Sequence, residues 1–366
     1  MPTAASRRPA RRRGRRWRGA VVVAVVVATV GCGGATTTPS TSPSIRPPPA
    51  PTATRAGAGA VVPAFDRGRF AAVIPLPGAR TLTVADGVLW VLEASATVVR
   101  IDPRTNAVVG RPLRVPADAV AIAVREGALW VTSVAPGDLD APGDDTVTRI
   151  DPVTGRTEAT VKVPRAPLDI AATPRAIWVT NSGDGGHSVA RIDPQSNRLA
   201  GRLVTTGGGP QSIAVGGGSL WVANHDAFMV TRIDHASGKV VASIPVPSEP
   251  HRVAYGAGAV WVGNWHDNSV SRIDPTTNRV VGSPIQIGFH AGNIAVGADG
   301  VWVTSDYREQ GDAAPEDVVV IHIDPQANRV VETIAVGGHP IDVAATEDAI
   351  WVSVANPGTI LRIAGR

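Results

Sequence analysis

The chain has 366 residues, with 35 Lys and Arg, 31 Asp and Glu, eight His, a single Cys, 39 Gly and 31 Pro. Its basic balance is local: eight Arg and no acid fall within residues 1–18, and without them 27 basic residues face 31 acidic ones. The remainder is acidic, which argues against nucleic acid as a partner, and one cysteine rules out an internal disulfide.

Residues 7–18 form a positively charged stretch, residues 20–30 an apolar one, and Gly31 and Cys32 follow, the order of a secretion signal. Eleven residues rise only about 16 Å as a helix, short of the roughly 30 Å of a bilayer core. Thr29-Val30-Gly31-Cys32 resembles a bacterial lipobox. That resemblance implies cleavage before Cys32, lipidation of its thiol and anchoring at the extracytoplasmic face of the cell membrane. An ordinary cleaved signal with an incidental cysteine is the alternative. Arg15-Arg16 leaves the general secretory and twin-arginine routes both open. Residues 33–62 are Thr, Pro, Ser, Ala and Gly with almost no large apolar side chain, so they are expected to be a disordered tether. The folded domain is expected over 63–366.

Within that domain one unit recurs. A hydrophobic-Trp-Val segment occurs at Trp90, Trp130, Trp178, Trp221, Trp261, Trp302 and Trp351. Eight residues before each Trp stands an aliphatic residue: Leu82, Ile122, Ile170, Ile213, Val253, Ile294 and Val343. Turns such as Asp86-Gly87 and Glu126-Gly127 lie between them, which predicts an antiparallel hairpin. A third run follows, Arg-Ile-Asp-Pro at Arg100, Arg149, Arg191 and Arg272, varied as Arg232-Ile-Asp-His and His322-Ile-Asp-Pro. Asp-Pro with Asn or Gly shortly after predicts a type I turn, and a fourth apolar run completes each unit. Four short strands repeated seven times predict an all-β fold, a seven-bladed β-propeller of four-stranded antiparallel blades. The last unit reaches Arg366 with three strands, while residues 68–76 match the fourth-strand pattern. The N-terminal strand is therefore expected to close the last blade and remove an open edge.

These units resemble the YVTN-type propeller repeat, through Trp178–Asn181, Trp221–Asn224, Trp261–Asn264 and residues 272–281. More distantly they are similar to the streptogramin lyase propellers. The resemblance covers roughly residues 68–366 and implies the fold. Lyases of that type use histidines at the start of inner strands, an acid after the following Trp segment, and Mg²⁺. Here His251 stands at such a strand start. In the next blade the equivalent is Gly292, with His290 two residues away, and Asp306 follows Trp302. The resemblance thus implies, as one alternative, a metal-dependent lyase or hydrolase.

Residues present in every unit are explained by what every blade needs, so function is sought where the repeat breaks. From each Asp to the next Trp the spacing is 27 or 28 residues. From each Trp to its Asp it runs 12, 21, 15, 13, 13 and 22. Length variation therefore falls in the loop between second and third strands, on the face that also carries the blade-to-blade connections. Six of the eight His are assigned to this variable face: His187, His225, His251, His266, His290 and His339. Asn181, Asn224, Asn264, Trp265, Asp267, Asp306 and Tyr307 stand beside them. His251 and Arg252 open the first strand of blade five and are expected at the central channel. His, Asn and one Trp outside the repeat suit a polar ligand with a flat or apolar part. The acidic loops 133–146 and 305–317 lack EF-hand spacing and read as solvated, leaving a divalent cation possible but no cofactor expected. The favoured reading is a lipid-anchored binding propeller, whose partner is an unidentified small molecule or envelope protein, with no catalytic residue assigned.

Overall fold

The computed structural model describes residues 67–134, 145–183, 187–306 and 318–365. Cys32, the tether, Tyr307 and most of both acidic loops lie outside the described residues.

The described residues form seven antiparallel sheets arranged as the blades of a ring. Only two short 3-10 turns, Arg67–Arg69 and His225–Ala227, interrupt the strands among the described residues. Blade four is representative. Its strands are Pro210–Gly216, Ser219–Asn224, Met229–Asp234 and Val240–Pro245, ordered from the channel outward. The first two strands meet through Gly217 and Gly218, both with positive φ. Asp86-Gly87, Glu126-Gly127 and Ala257-Gly258 do the same in blades one, two and five, which is the geometry of the tight hairpin turns predicted. At the same end of the blade, where Asp234 pairs with Ser219, each Asp of Arg-Ile-Asp caps its own turn. Asp102 accepts the Arg104 amide at 2.9 Å and Asp274 the Thr276 amide at 2.7 Å, while Asn106 and Asn278 take the left-handed position that follows.

Ring closure follows the expectation. Ala72–Pro75 pairs antiparallel with Thr359–Ala364, Ala72 opposite Arg362 and Pro75 opposite Thr359. The first strand among the described residues is thus the outer strand of blade seven.

The core is seven seams, each shared by two adjacent blades. Trp178 and Val189 of blade three pack with Ile213, Leu220 and Val222 of blade four. Trp221 and Val230 pack with Val253, Val260 and Val262 of blade five. Trp351 and Ile360 of blade seven pack with Leu82, Leu89 and Val91 of blade one, sealing the ring. The invariant eight-residue spacing has a physical cause: the tight hairpin sets each aliphatic residue opposite the one after its own Trp, Leu82 opposite Val91 and Ile213 opposite Val222, while the Trp meets the aliphatic residue of the next blade. All seven Trp are buried. Burying 150–250 Å² of indole contributes about 4–6 kcal/mol each before entropy is charged against it.

The Arg of the third strand seals the same seam. Arg232 lies over the Trp221 ring at 4.8 Å and donates to Ser219 Oγ, to the Pro275 carbonyl at 2.6 Å and to Asn278 Oδ1 at 2.8 Å. Arg100, Arg149 and Arg272 reach the carbonyls of Pro152, Pro194 and Pro325 in the following blade. Blade six differs. The blade after it presents Gly365 where the Asp-Pro turn would stand, and His322 replaces Arg. The His322 ring stacks on Trp302 at 4.2 Å, and its Nε2 lies 3.0 Å from the Asp299 carbonyl.

Candidate functional site

The hairpin register places the proposed residues on one face. Pro250 lies opposite Asn264, His290 opposite Asp306, and His339 opposite Ala355. Inner-strand starts and second-strand ends thus share one rim, as the loop-length argument required.

Four rings on that rim form a continuous arc across blades four to six. His225 and His251 are edge to face at 6.2 Å between centroids, and His251 and Trp265 likewise at 4.9 Å. Trp265 and His290 are stacked at 4.8 Å with 4° between planes. Hydrogen bonds fix the ends. His290 Nδ1 is 2.7 Å from the Trp265 carbonyl, and the Trp265 amide donates to the Glu249 carbonyl at 2.9 Å. His225 sits between two carboxylates, Nδ1 3.0 Å from Asp226 and Nε2 3.5 Å from Glu249. Asp226 is held below the usual carboxylate range chiefly by its bond to His225, which outweighs the opposing effect of burial, with the charges of His225 and His187 adding to it. His187 accepts the Gly209 amide on Nδ1 at 3.2 Å, which ties blade three to the same arc.

The remaining candidates divide. Asn181, Asn224 and Asn264 are fully buried and work inside their own blades. Asn224 Nδ2 donates to the carbonyls of Val222 and Met229 and to Thr231 Oγ1, while its Oδ1 accepts the Gly207 amide. Asn264 Nδ2 donates to the hydroxyls of Ser269 and Ser271. Their amides shape the hairpin end and face no solvent. Asp306 is buried as well, His339 is half-buried, and His266 is exposed. Trp265 is half-buried, with both neighbouring imidazoles already against its ring.

Arg252 lies deeper, at the channel, in a ring that motif reading passed over. Nine residues before each Trp stand Thr81, Ala121, Asp169, Ser212, Arg252, Asn293 and Asp342, seven positions with six residue types. Each inner strand has a register shift here, and such bulges re-aim side chains. Asp169 Oδ2 accepts the Ile213 amide of the next blade at 2.9 Å, and Asp342 Oδ2 the Leu82 amide across the ring closure at 2.8 Å. Arg252 Nε donates to Asn293 Oδ1 at 2.5 Å, and Asn293 Nδ2 to the Ile341 carbonyl at 2.7 Å. Burial pushes Asp169 up, and pushes Asp342 up to about 7 against the pull of the two backbone amides it accepts and of Arg252. The signal that could have found this ring was variability at a fixed place in an otherwise repeating strand.

Among the described residues no three His, Cys, Asp or Glu side chains are grouped so as to hold a metal ion. In the arc His290 Nδ1 faces the Trp265 carbonyl, His225 faces Asp226 and Glu249, and Trp265 contacts both His251 and His290.

Fold and rim together define a seven-bladed β-propeller with a non-repeating arc on its variable face. No protein-family model and no curated protein sequence matches the chain. Among solved structures it is similar to virginiamycin B lyase from Staphylococcus aureus, at 19% identity and a TM-score of 0.64, over 81% of this chain and 99% of that one. A streptogramin B lyase structure matches at 17% identity and a TM-score of 0.62, over 80% and 95%. The hydrazine synthase of Kuenenia stuttgartiensis matches equally well at 16% identity and 0.62, over 79% and 96%. Such distant likenesses show the fold alone, and these neighbours carry unrelated chemistries on it.

Proposed function

We propose that this protein is an exported binding propeller, anchored by a lipid on Cys32 and recognising a ligand through the arc His225, His251, Trp265 and His290. The arc carries the reading. It lies on the variable face, uses residues that blade packing does not require, and sets hydrogen-bonding edges beside an indole. The leader and tether supply the rest: a hydrophobic stretch too short to span, a cysteine directly after it, and thirty residues of chain that keep the ring clear of a membrane.

The test has two halves. Labelled palmitate should enter the wild-type chain and not Cys32→Ser, which should be released from the membrane fraction. A thermal-unfolding screen against small molecules and divalent ions should yield compounds that raise Tm in the wild type and not in His251→Ala. A chain released despite an intact Cys32, or a screen whose hits ignore His251, would overturn the respective half.

A second reading, a metal-dependent lyase or hydrolase, is favoured by the fold likeness to virginiamycin B lyase and by His251 at an inner-strand start. It predicts Mg²⁺-dependent loss of a streptogramin B substrate in the presence of the protein. Conversion that vanishes in His251→Ala would move the assignment to that class.

A further inference from the structure

The turn that carries His225 into the arc carries another side chain out of it. Phe228 follows the short 3-10 turn His225–Ala227 and is 48% exposed, an aromatic among exposed aliphatic residues. Its backbone is left-handed, φ 53° and ψ 40°. The same place, directly before the third strand, is taken by Ala96 in blade one, Asn268 in blade five and Gly358 in blade seven, all with positive φ. Asn, Gly and Ala suit a left-handed turn and a bulky aromatic does not. Phe228 is thus unfavourable twice over, in its backbone and in its hydration, and such outliers gather where a surface is used.

The turn is held firmly. The Phe228 amide donates to the His225 carbonyl, and its carbonyl accepts the Val246 amide at 3.0 Å. Residues 207–209, all glycine, lie directly against it. A Cβ on Gly207 would stand 2.7 Å from the Ala227 Cβ, and one on Gly209 2.8 Å from the Asp226 Cγ. Only a bare backbone lets the blade connection approach so closely. The ring of Phe228 is therefore presented on a fixed frame, and little order is lost when something binds to it.

Charge selects the partner. Asp226 follows His225 with its side chain 64% exposed, and the Glu249 carboxylate lies on the opposite edge of the same imidazole. Asp267 is exposed on the neighbouring loop. The four loop segments 206–209, 225–228, 246–249 and 265–268 contain no Lys or Arg. Phe228 stands two residues after Asp226 on this turn, and an exposed aromatic ring and an exposed carboxylate each attract a soft organic cation.

Resting on the binding reading above, we propose that Phe228 and Asp226 form an outer lip of the arc that takes an organic ammonium group carrying an apolar body. The probes are benzyltrimethylammonium, benzyl alcohol and phenylacetate, titrated calorimetrically into the full-length chain. Benzyltrimethylammonium should bind about tenfold more tightly than either other probe, and its affinity should fall as salt is raised. Phe228→Asn and Asp226→Asn should each weaken it by roughly fivefold, while Phe228→Asn unfolds at the same or a higher temperature. That pairing separates a lost contact from a lost fold. Equal or tighter binding of phenylacetate, no binding of the cation, or a Phe228→Asn variant that binds unchanged would overturn the lip. If the cation binds independently of Phe228 but is lost in His251→Ala, the lip falls and the arc stands. Should no screening compound or probe depend on either residue, both fall.

Discussion

Two circles of residues run around this ring, and they obey opposite rules. The seams repeat one solution: Trp from one blade, an aliphatic residue from the next, and in most blades Arg laid over the indole. The inner ring never settles: Thr, Ala, Asp, Ser, Arg, Asn and Asp occupy the same place in successive blades. Seam positions answer to a neighbour that is the same at every step, so one solution serves throughout. Inner-ring side chains face a channel shared by all blades, where identical charges would repel. A lone cation, Arg252, set among Asp169 and Asp342 is the arrangement that such a shared space permits.

Substitutions in the two circles should therefore differ in kind. The largest loss is expected at a seam. Trp178→Ala empties a fully buried site and removes the indole N–H that Thr173 Oγ1 accepts, and should lower unfolding free energy by about 3–5 kcal/mol in denaturant titration. Next comes Asp342→Ala, which leaves the Leu82 and Val343 amides without their acceptor and weakens the junction of blades seven and one. About 2–4 kcal/mol is expected, from two buried amides at the usual range each.

The same carboxyl gives the inner ring a pH signature that seams lack. Asp342 titrates near 7 in the folded ring and near 3.8 when unfolded, so the folded state binds more protons between those values. Stability should accordingly fall as pH rises from about 4 to about 7 and level off above. Asp342→Asn should remove that slope, read as the difference between wild-type and variant unfolding free energies across the range. A slope unchanged in the variant would break the distinction between the circles.

Smaller effects sharpen it. Arg232→Met keeps the alkyl packing over Trp221 but deletes three side-chain hydrogen bonds, one to the next blade's Pro275 carbonyl. A loss of about 1–3 kcal/mol is expected, below that of the Trp. The smallest change should be a gain: Phe228→Asn relieves a left-handed aromatic on the variable face and should raise stability by a few tenths to about 1 kcal/mol.

Most of the fold was legible because repetition multiplies weak signals. Any one Asp-Pro or Asp-Gly is an ambiguous turn mark, but seven units in register fix strand, turn and blade. The closing strand at Ala72–Pro75 could be read because its pattern matched the fourth strand of the other units. The site was legible only to the level of a face. Asn181, Asn224 and Asn264 belong to the repeat, and their amides turned inward to serve hairpin ends. Asp169, Asn293 and Asp342 escaped because each sits alone in its strand, without a motif around it.

By itself the sequence determined the blade count, the order of strands, the closure and the face on which the blades diverge. Each of these follows from short-range periodicity and turn chemistry, which act within a few residues of chain. Tertiary structure alone decided that His225, His251, Trp265 and His290, spread over 66 positions, form one arc. It alone decided that Asp342 reaches Leu82 across 260 residues to lock the ring. Contacts between blades depend on the curvature with which whole sheets pack, and no local pattern encodes that.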